Sequence, residues 1–343
     1  MQRKPTRPRA YQVAATKAVV RWYLDTHFRR PSDPGVIDMF CDPSRVGPFA
    51  VEPHAVRTGD ARALFRLLVA TSMFQRRQDV QILRILQGMG RADAAEISDA
   101  GRLLAHVDNG ECAHMRTSQS LAQACDLDKD PSTRTGCCDA NPGVACHMKR
   151  HTVLLKRYGH FGKVPTSIAL MIRESGAGDL PGLRRLVMKR ERDPLARAQA
   201  LEHELSRAWR VNRKIASMFL SMVTNPDLSR GLAPWSRGID WTYYVVVDSN
   251  VDLFLASVGY NGTGTYDARR EFVREVARKI DLSTLAPDVR SFNPRLVQQA
   301  MYLFMSEANR RAASADCMHT GASACGACPR AVRRRCPVAA PQE

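Results

Sequence analysis

Apolar residues recur at intervals of three and four along most of the chain, which is the spacing of a helix with one buried face. From about Asp60 to the glycines at 88 and 90, this pattern is carried by Leu64, Leu67, Leu68, Val80, Leu83 and Leu86. Similar spacing predicts helices at 93–107, 147–158, 166–174, 183–191, 195–208, 211–223, 249–258, 266–280 and 294–313. Only Trp241 to Val247 has the composition of a strand, and it is too short to found a sheet. The predicted fold class is therefore all-α.

Breaks in this pattern divide the chain into four regions. Residues 1–54 combine a basic arm, leading into a helix, with a Pro-rich wrapping segment whose five prolines and two glycines predict a loop. Residues 55–225 form a helical domain that holds a polar, cysteine-bearing insertion at 109–147 and ends in two helices joined by a tight turn at 195–223. Residues 226–314 contain a further loop and a second helical lobe. Residues 315–343 form a cysteine-bearing tail.

The charge balance indicates the class of partner. Fifty-one lysines and arginines against thirty-four acidic residues give a formal net charge of +17, so a polyanion is expected. Nucleic acid is the first candidate and an acidic membrane surface the second. No run of about twenty apolar residues is present, and no apolar signal core follows Met1-Gln2-Arg3-Lys4-Pro5. These observations predict a cytoplasmic protein that does not span a membrane.

Four late cysteines form the most specific motif. Cys317, Cys325, Cys328 and Cys336 are spaced as C-x7-C-x2-C-x7-C, among ten cysteines in all. A reducing cytosol argues against structural disulfides, so we expect metal or cluster ligation. Four thiolates suit either a tetrahedral zinc ion or a [4Fe-4S] cluster, and spacing alone does not separate the two. Free thiols in a tail are the alternative.

A second set of ligand-type side chains lies in the insertion. Its members are Cys112, His114, Cys125, Cys137, Cys138, Cys146, His147 and His151. They are numerous enough to hold a second zinc ion within 112–151, although no C-x2-C pair occurs among them and two cysteines are adjacent. Thiols that bind no metal are the alternative.

The starts of two predicted helices offer polar groups that could take part in function. In the tight turn at 195–223, backbone N–H groups near a helix end can bind a phosphate without reading base sequence. An ordinary helical hairpin with solvated arginines and lysines is the alternative. Asp248 follows the apolar run Val245-Val246-Val247 and is predicted to cap the next helix. A carboxylate held by such amides stays ionised, as a site facing a developing cation requires.

Five segments follow one another in order along the chain: Leu64 to Val80, Gly162-Lys163-Val164-Pro165, Arg213-Lys214-Ile215-Ala216, Val247-Asp248-Ser249-Asn250-Val251 and the four-cysteine tail. In this order they resemble the helix-hairpin-helix (HhH-GPD) DNA glycosylases of the endonuclease III type. The resemblance covers residues 55–90 and 147–336. It implies a two-lobed helical fold, a cleft that binds double-stranded DNA, a monomer, and an iron-sulfur cluster rather than zinc on the four cysteines.

The resemblance also assigns residues to roles. Lys214 matches the family's nucleophilic lysine and Asp248 its catalytic aspartate. Asn250 is similar to the asparagine of the adenine-excising branch, and Gln75 to the glutamine that probes the base stack, with its register to Asp79 off by one. Contacts to DNA are therefore expected from Gln75, Arg210, Val211, Asn212, Arg213 and Asn250.

The function implied is base-excision repair. The enzyme would extrude a damaged, modified or mispaired base, and Lys214 would form a Schiff base that permits strand cleavage at the abasic site. In a bacterium, such an enzyme would be associated with the nucleoid. The alternative is a non-catalytic DNA-binding protein that keeps the helical scaffold and an iron-sulfur or zinc tail. A third class, an RNA-directed or membrane-surface protein, is favoured by charge alone.

Three departures from the family pattern bear on specificity. The turn has Arg210-Val211-Asn212 where the family has Gly-x-Gly, and arginine tolerates a left-handed backbone poorly. The interval between Lys214 and Asp248 is longer than in the family, and its inserted residues Pro234, Trp235, Trp241 and Tyr243 are expected to line the base pocket. No acid stands near Thr71, where the adenine-excising branch carries its catalytic glutamate. Adenine opposite oxidised guanine is therefore not the expected substrate.

Overall fold

The computed structural model describes residues 7–29, 37–75, 78–112, 114–125, 148, 162–229 and 231–306. Every regular element in these ranges is a helix, which confirms the all-α fold class. The prediction of a strand at Trp241 to Val247 is wrong, because Trp241–Tyr243 is a short 3₁₀ helix and the residues after it run as irregular chain. No helix in the described part of the chain is long and apolar enough to cross a membrane.

The described α-helices are numbered in chain order. The first eight are α1 (Ala10–Thr26), α2 (Asp38–Cys41), α3 (Pro43–Val46), α4 (Pro53–Thr58), α5 (Ala61–Ser72), α6 (Asp79–Gly88), α7 (Arg91–Ile97) and α8 (Ala100–Asp108). The others described are α9 (Ser118–Ala124), α10 (Lys163–Glu174), α11 (Leu180–Arg190), α12 (Pro194–Leu205), α13 (Arg213–Thr224), α14 (Ser249–Ser257), α15 (Tyr266–Ala277) and α16 (Pro294–Met305).

Short polar side chains fix where many of these helices begin. Each accepts a hydrogen bond from a first-turn backbone N–H that has no partner within the helix. Such caps are Asp60, Asp99, Thr117, Asp179, Asp193, Asn212, Asp248, Thr265 and Asn293. Two of these caps, Asn212 and Asp248, start the helices that carry the candidate catalytic residues.

The larger hydrophobic core is built from residues between 37 and 244. The segment predicted as a Pro-rich loop differs from that expectation, because it forms α2, α3 and a 3₁₀ turn at Gly47–Phe49. Its side chains Phe40 and Phe49 are buried in this core. Gly47 has a φ of 56°, and a Cβ there would lie 2.7 Å from Gln87 Cα, so glycine is required where this segment meets α6.

A second core joins the two ends of the described chain. Helix α1 packs with α14, α15 and α16, and their buried side chains include Val19, Val20, Tyr23, Phe254, Phe272, Val273, Leu296, Val297 and Phe304. The helix expected after the basic arm is therefore part of this core. The two cores meet along α13, α16 and the chain that precedes α14.

A small satellite core lies at the edge of the predicted insertion. Helix α9 belongs to the predicted insertion. Its residue Leu121, and Cys125 directly after the helix, pack on Leu170 of α10. The buried Lys163 donates to the carbonyl oxygen of Cys125 at 2.6 Å, and its ammonium lies 4.1 Å from the centre of the Trp209 ring. This lysine thus ties the end of α9 to the turn between α12 and α13.

Candidate functional site

A cleft lies where the two cores meet. Its volume is about 450 Å³ when the open solvent at its entrance is included. It is lined by Phe40, Phe74, Asp79, Lys214, Met218, Val246, Asp248, Arg295, Gln298, Gln299 and Tyr302. Helices α2, α6, α13 and α16 and the start of α14 all contribute. Two of the residues predicted to be catalytic, Lys214 and Asp248, are among them.

Lys214 and Asp248 face each other across this cleft. The Nζ atom of Lys214 lies 3.9 Å from Oδ2 of Asp248, and the two side chains are 30% and 10% exposed. Lys214 is the second residue of α13, whose start is fixed by Asn212 accepting from the backbone N–H of Ile215 at 3.1 Å. Asp248 caps α14 and accepts from the backbone N–H of Val251 at 3.0 Å. Two capped helix starts therefore hold an amine and a carboxylate together.

The environment of Asp248 favours its protonated form more than water does. Burial raises the pKa of this carboxyl, and the nearby charge of Asp79 raises it further. The ammonium of Lys214 and the backbone N–H groups of Val251 and Asn250 act in the opposite direction. The net direction is upward. Asp248 is thus a carboxylate that can accept a proton more readily than an exposed aspartate.

Asp79 is a second carboxylate in the cleft. It is the first residue of α6, and its Oδ2 accepts a hydrogen bond of 2.6 Å from the hydroxyl of Tyr302. Burial raises the pKa of Tyr302 well above its ordinary value, so this hydroxyl remains a donor at neutral pH. Of these two residues, the sequence singles out only Asp79, by its register with Gln75, and Tyr302 was not predicted.

Arg295 anchors a polar wall on α16, which we name the glutamine wall and which consists of Arg295, Gln298 and Gln299. Arg295 is 4% exposed, and its Nε donates to Ser221 Oγ at 3.1 Å. Its Nη1 donates to the amide oxygens of Gln298 and Gln299, each at 2.6 Å. Sequence reasoning missed this wall, although polar residues at positions i, i+3 and i+4 of an otherwise apolar helix were the available signal.

Another part of the cleft lining is apolar. Phe40 and Phe74 pack edge to face with ring centroids 5.7 Å apart, and Met218 and Val246 continue this surface. An aromatic and aliphatic wall suits the flat face of a ring compound. Neither phenylalanine was among the residues predicted for the site.

The four residues of the inserted loop that were predicted to form the base pocket are not among the residues that line this cleft. Trp235 is buried against Phe219, with ring centroids 6.0 Å apart, and the Trp241 ring lies 5.8 Å from the Arg290 guanidinium. Tyr243 donates to Glu202 at 3.0 Å in the core. The prediction that Pro234, Trp235, Trp241 and Tyr243 form the base pocket is wrong for this cleft, since Trp235 and Tyr243 are buried in the core while Pro234 and Trp241 are partly buried outside the cleft lining.

Glu202 connects the elements that carry the two candidate catalytic residues. This buried carboxylate accepts from Ser217 Oγ on α13 at 2.6 Å, from the Tyr243 hydroxyl at 3.0 Å, and from Arg270 Nη1 on α15 at 3.0 Å. Ser217 lies one turn after Lys214, and Tyr243 lies shortly before Asp248. The network was not predicted, although Glu202 stands on the apolar face of its helix with Ala198, Leu201 and Leu205.

The turn between α12 and α13 keeps a left-handed residue without a glycine. Arg210 has a φ of 64°, and its guanidinium lies 5.1 Å from the centre of the Trp209 ring. Val211 is buried, and its backbone N–H donates to Ala208 O at 3.0 Å. Arg213 is paired with Asp267 at 2.8 Å. The turn thus has the expected shape, while Val211 and Arg213 already have protein partners.

Gln75 and Asn250 lie beside the cleft rather than among its lining residues. The Gln75 side chain donates to Ser72 O at 2.6 Å, directly after Phe74 in the chain. Asn250 lies in the first turn of α14, where its backbone N–H faces Asp248. The structure therefore brings Lys214 and Asp248 together, whereas none of the residues predicted to contact DNA is among those that line the cleft.

The predicted metal ligands lie largely outside the described residues. The ligands outside the described residues are Cys317, Cys325, Cys328 and Cys336 in the tail, and Cys137, Cys138, Cys146, His147 and His151 in the insertion. Cys112, His114 and Cys125 of the insertion are among the described residues. Among the residues that the structure describes, no group of three or more histidine, cysteine or acidic side chains is arranged to hold a metal ion.

Comparison with known proteins adds no relative. No protein-family model, curated protein or solved structure matches the chain. The interpretation of the cleft therefore depends on its own geometry: one amine, two carboxylates, an aromatic wall and a hydrogen-bonding wall.

Proposed function

We propose that this protein is a DNA glycosylase with abasic-site lyase activity, in which Lys214 is the nucleophile and Asp248 the catalytic carboxylate. The observation that supports this most directly is the 3.9 Å approach of Lys214 Nζ to Asp248 Oδ2 in a cleft between two helical cores. An amine beside a buried carboxylate is a typical arrangement for covalent catalysis, because the carboxylate can take the proton that the amine must lose.

The proposed reaction would proceed through a covalent intermediate on Lys214. Lys214 transfers a proton to Asp248, and its lone pair then attacks the C1′ carbon of an extruded nucleotide. The glycosidic bond breaks, its electron pair leaves with the base, and the base takes the proton that Asp248 received from Lys214. Asp248, ionised again, stabilises the positive charge that remains on the sugar. The second proton of the attacking amine passes to the ring oxygen as the sugar opens to a Schiff base on Lys214, and loss of a C2′ proton then expels the 3′-phosphate.

Charge and the turn at Arg210 support DNA as the substrate. The net charge of +17 offers counterion release on a polyanion. The capped start of α13 directs backbone N–H groups and a positive dipole end outward beside Lys214. The protein would act as a monomer on double-stranded DNA in the cytoplasm, at the nucleoid in a bacterium. The four late cysteines would hold a [4Fe-4S] cluster or zinc, and no step of this chemistry requires that metal.

Borohydride trapping on a duplex with one abasic site tests the proposal. Reduction of the Schiff base should give a covalent protein–DNA adduct with the wild type and none with Lys214→Ala. Lys189→Ala is the matched control, because Lys189 is an exposed lysine outside the cleft, and it should trap like the wild type. Trapping by Lys214→Ala at the wild-type level would refute the assignment of the nucleophile.

A non-catalytic DNA-binding protein is the second candidate. The pairing of Arg213 with Asp267 and the arginine at the left-handed position of the turn favour it, since both depart from a phosphate-gripping Gly-x-Gly turn. Absence of trapping and of base release from a panel of lesion-bearing duplexes, with tight salt-dependent binding retained, would favour this candidate. A brown colour of the purified protein would distinguish an iron-sulfur cluster from colourless zinc.

A further inference from the structure

The orientation of the Gln298 amide is fixed by its partner. A guanidinium has donors and no acceptor, so the Gln298 atom 2.6 Å from Arg295 Nη1 must be the amide oxygen. Gln299 presents its oxygen to the same nitrogen at the same distance. Nη1 carries two hydrogens, and both are therefore used. Rotation of the Gln298 amide would place its NH₂ group against this cation, which makes the observed orientation strongly preferred.

The NH₂ group of Gln298 is the part of this amide left to pair with a molecule in the cleft. Gln298 is 1% exposed and lines the cleft, and within the described part of the chain its side chain makes no hydrogen bond besides the one from Arg295. An NH₂ group on a buried side chain with an unused hydrogen-bonding capacity favours a partner that brings an acceptor. Phe40 and Phe74, which line the same cleft, would contact the flat face of that partner.

Resting on the proposed function, we infer that Gln298, held by Arg295, is a specificity-determining residue that selects extruded bases presenting a carbonyl oxygen over bases presenting an amino group. A carbonyl oxygen accepts from the Gln298 NH₂ group. An exocyclic amino group placed there would bring donor against donor and leave both unsatisfied. Such a mismatch discriminates more strongly than shape, because a buried polar group without a partner is expensive.

Two pairs of bases that exchange a carbonyl for an amino group test this inference. Uracil and cytosine form one pair, and hypoxanthine and adenine the other. Each would be placed, on a 2′-fluoro sugar that resists cleavage, opposite a spacer without a base, so that base pairing does not differ. The wild type should bind the uracil and hypoxanthine duplexes roughly tenfold more tightly than their partners, the factor typical of one hydrogen bond.

Variants then assign the preference to one side chain. Gln298→Ala should abolish it, and Gln298→Glu, which replaces the donor by an acceptor, should reverse it. Gln81→Ala, at an exposed glutamine outside the cleft, should leave it unchanged. Equal affinities within both pairs for the wild type, or an unchanged preference in Gln298→Ala, would overturn the inference.

Trapping on an abasic duplex separates this inference from the proposed function, because that substrate has no base. The wild type should trap on this duplex whether or not Gln298 selects a base. Trapping without any base preference overturns the inference alone. Absence of trapping together with absence of preference overturns both, whereas a Gln298-dependent preference without trapping supports the pocket assignment and removes the lyase step.

Discussion

Removal of the Glu202 carboxylate should destabilise the fold and disturb the cleft. Glu202 accepts hydrogen bonds from Ser217, Tyr243 and Arg270, which belong to three different elements. Glu202→Ala leaves Arg270, whose side chain is 9% exposed, with Asp267 at 2.6 Å as its remaining acidic partner, and Asp267 is 58% exposed. The variant therefore leaves a buried cation only partly compensated.

The expected loss follows from the burial of this pair. Breaking a buried ion pair by deleting one partner typically destabilises by about 3–5 kcal/mol. We expect a value near the middle of that range, since Asp267 compensates part of the charge while the Ser217 and Tyr243 hydroxyls lose their acceptor. Such a loss is a large fraction of the roughly 5–15 kcal/mol that stabilises an ordinary protein.

Urea denaturation at neutral pH measures this effect. The control is Arg213→Ala, which breaks the ion pair of Arg213 with Asp267 in the same network, where the side chains are 52% and 58% exposed. It should change the free energy of unfolding by about 1 kcal/mol or less. A Glu202→Met, Arg270→Met double variant should recover much of the stability, because it buries no unpaired charge. Two results would contradict this expectation. In the first, Glu202→Ala lowers the free energy of unfolding no more than the Arg213→Ala control does. In the second, the double variant is less stable than the single variant Glu202→Met, in which Arg270 keeps its charge without the Glu202 partner.

Three further predictions concern the site. Asp79→Asn removes a charge that raises the pKa of Asp248, so the acid limb of the pH–rate profile for base release should move to lower pH; an unmoved limb would contradict this coupling. Because the folded-state pKa of Asp248 is raised, its contribution to stability is full below the ordinary value of 3.8 and is lost as pH rises through the folded value. Asp248→Asn should therefore remove that decline, seen by comparing unfolding free energies of both proteins at acidic and neutral pH. Arg210→Gly should relieve the left-handed strain at φ 64° and stabilise by up to about 1 kcal/mol, whereas Arg210→Ala should not; equal effects in urea would refute the strain.

Helical periodicity predicted most helices because their buried faces dominate their sequences. The predicted helix at 249–258 is Ser249–Ser257, and the one at 195–208 is Pro194–Leu205. The single helix predicted at 93–107 is two helices, since Asp99 caps a new start within it. Short elements were missed, as with α2 and α3, because four residues carry no period. The burial of Phe40 and Val46, together with the Asp42 cap of α3, fixes them instead.

The site was predictable only in part, for a physical reason. Asp248 carries a local signal, the position of a helix cap, whereas Lys214 was assigned from the resemblance of Arg213-Lys214-Ile215-Ala216 to a family motif. Phe40, Tyr302 and Gln298 acquire their roles from partners far away in the chain, and periodicity contains no information about those partners. Glu202 shows the intermediate case, because its place on an apolar helix face marks it as buried and paired but not with which residues.

The separation between Lys214 and Asp248 along the chain does not weaken the site, since buried contacts, rather than the length of the intervening loop, set their distance. Each residue is fixed at a capped helix start, and buried polar contacts join the elements behind them. At the end of α13, Asn225 and Asn293 exchange amide hydrogen bonds of 3.0 and 3.1 Å, and Asn293 also caps α16, which carries the glutamine wall. Both asparagines are fully buried, and Asn293 donates in addition to Asp227 at 2.9 Å. Directional bonds of this kind define one alignment of the two cores, whereas apolar contacts alone tolerate sliding. The register of the cleft is thus set by polar contacts at the junction, which leaves the exposed part of the loop free to vary in length.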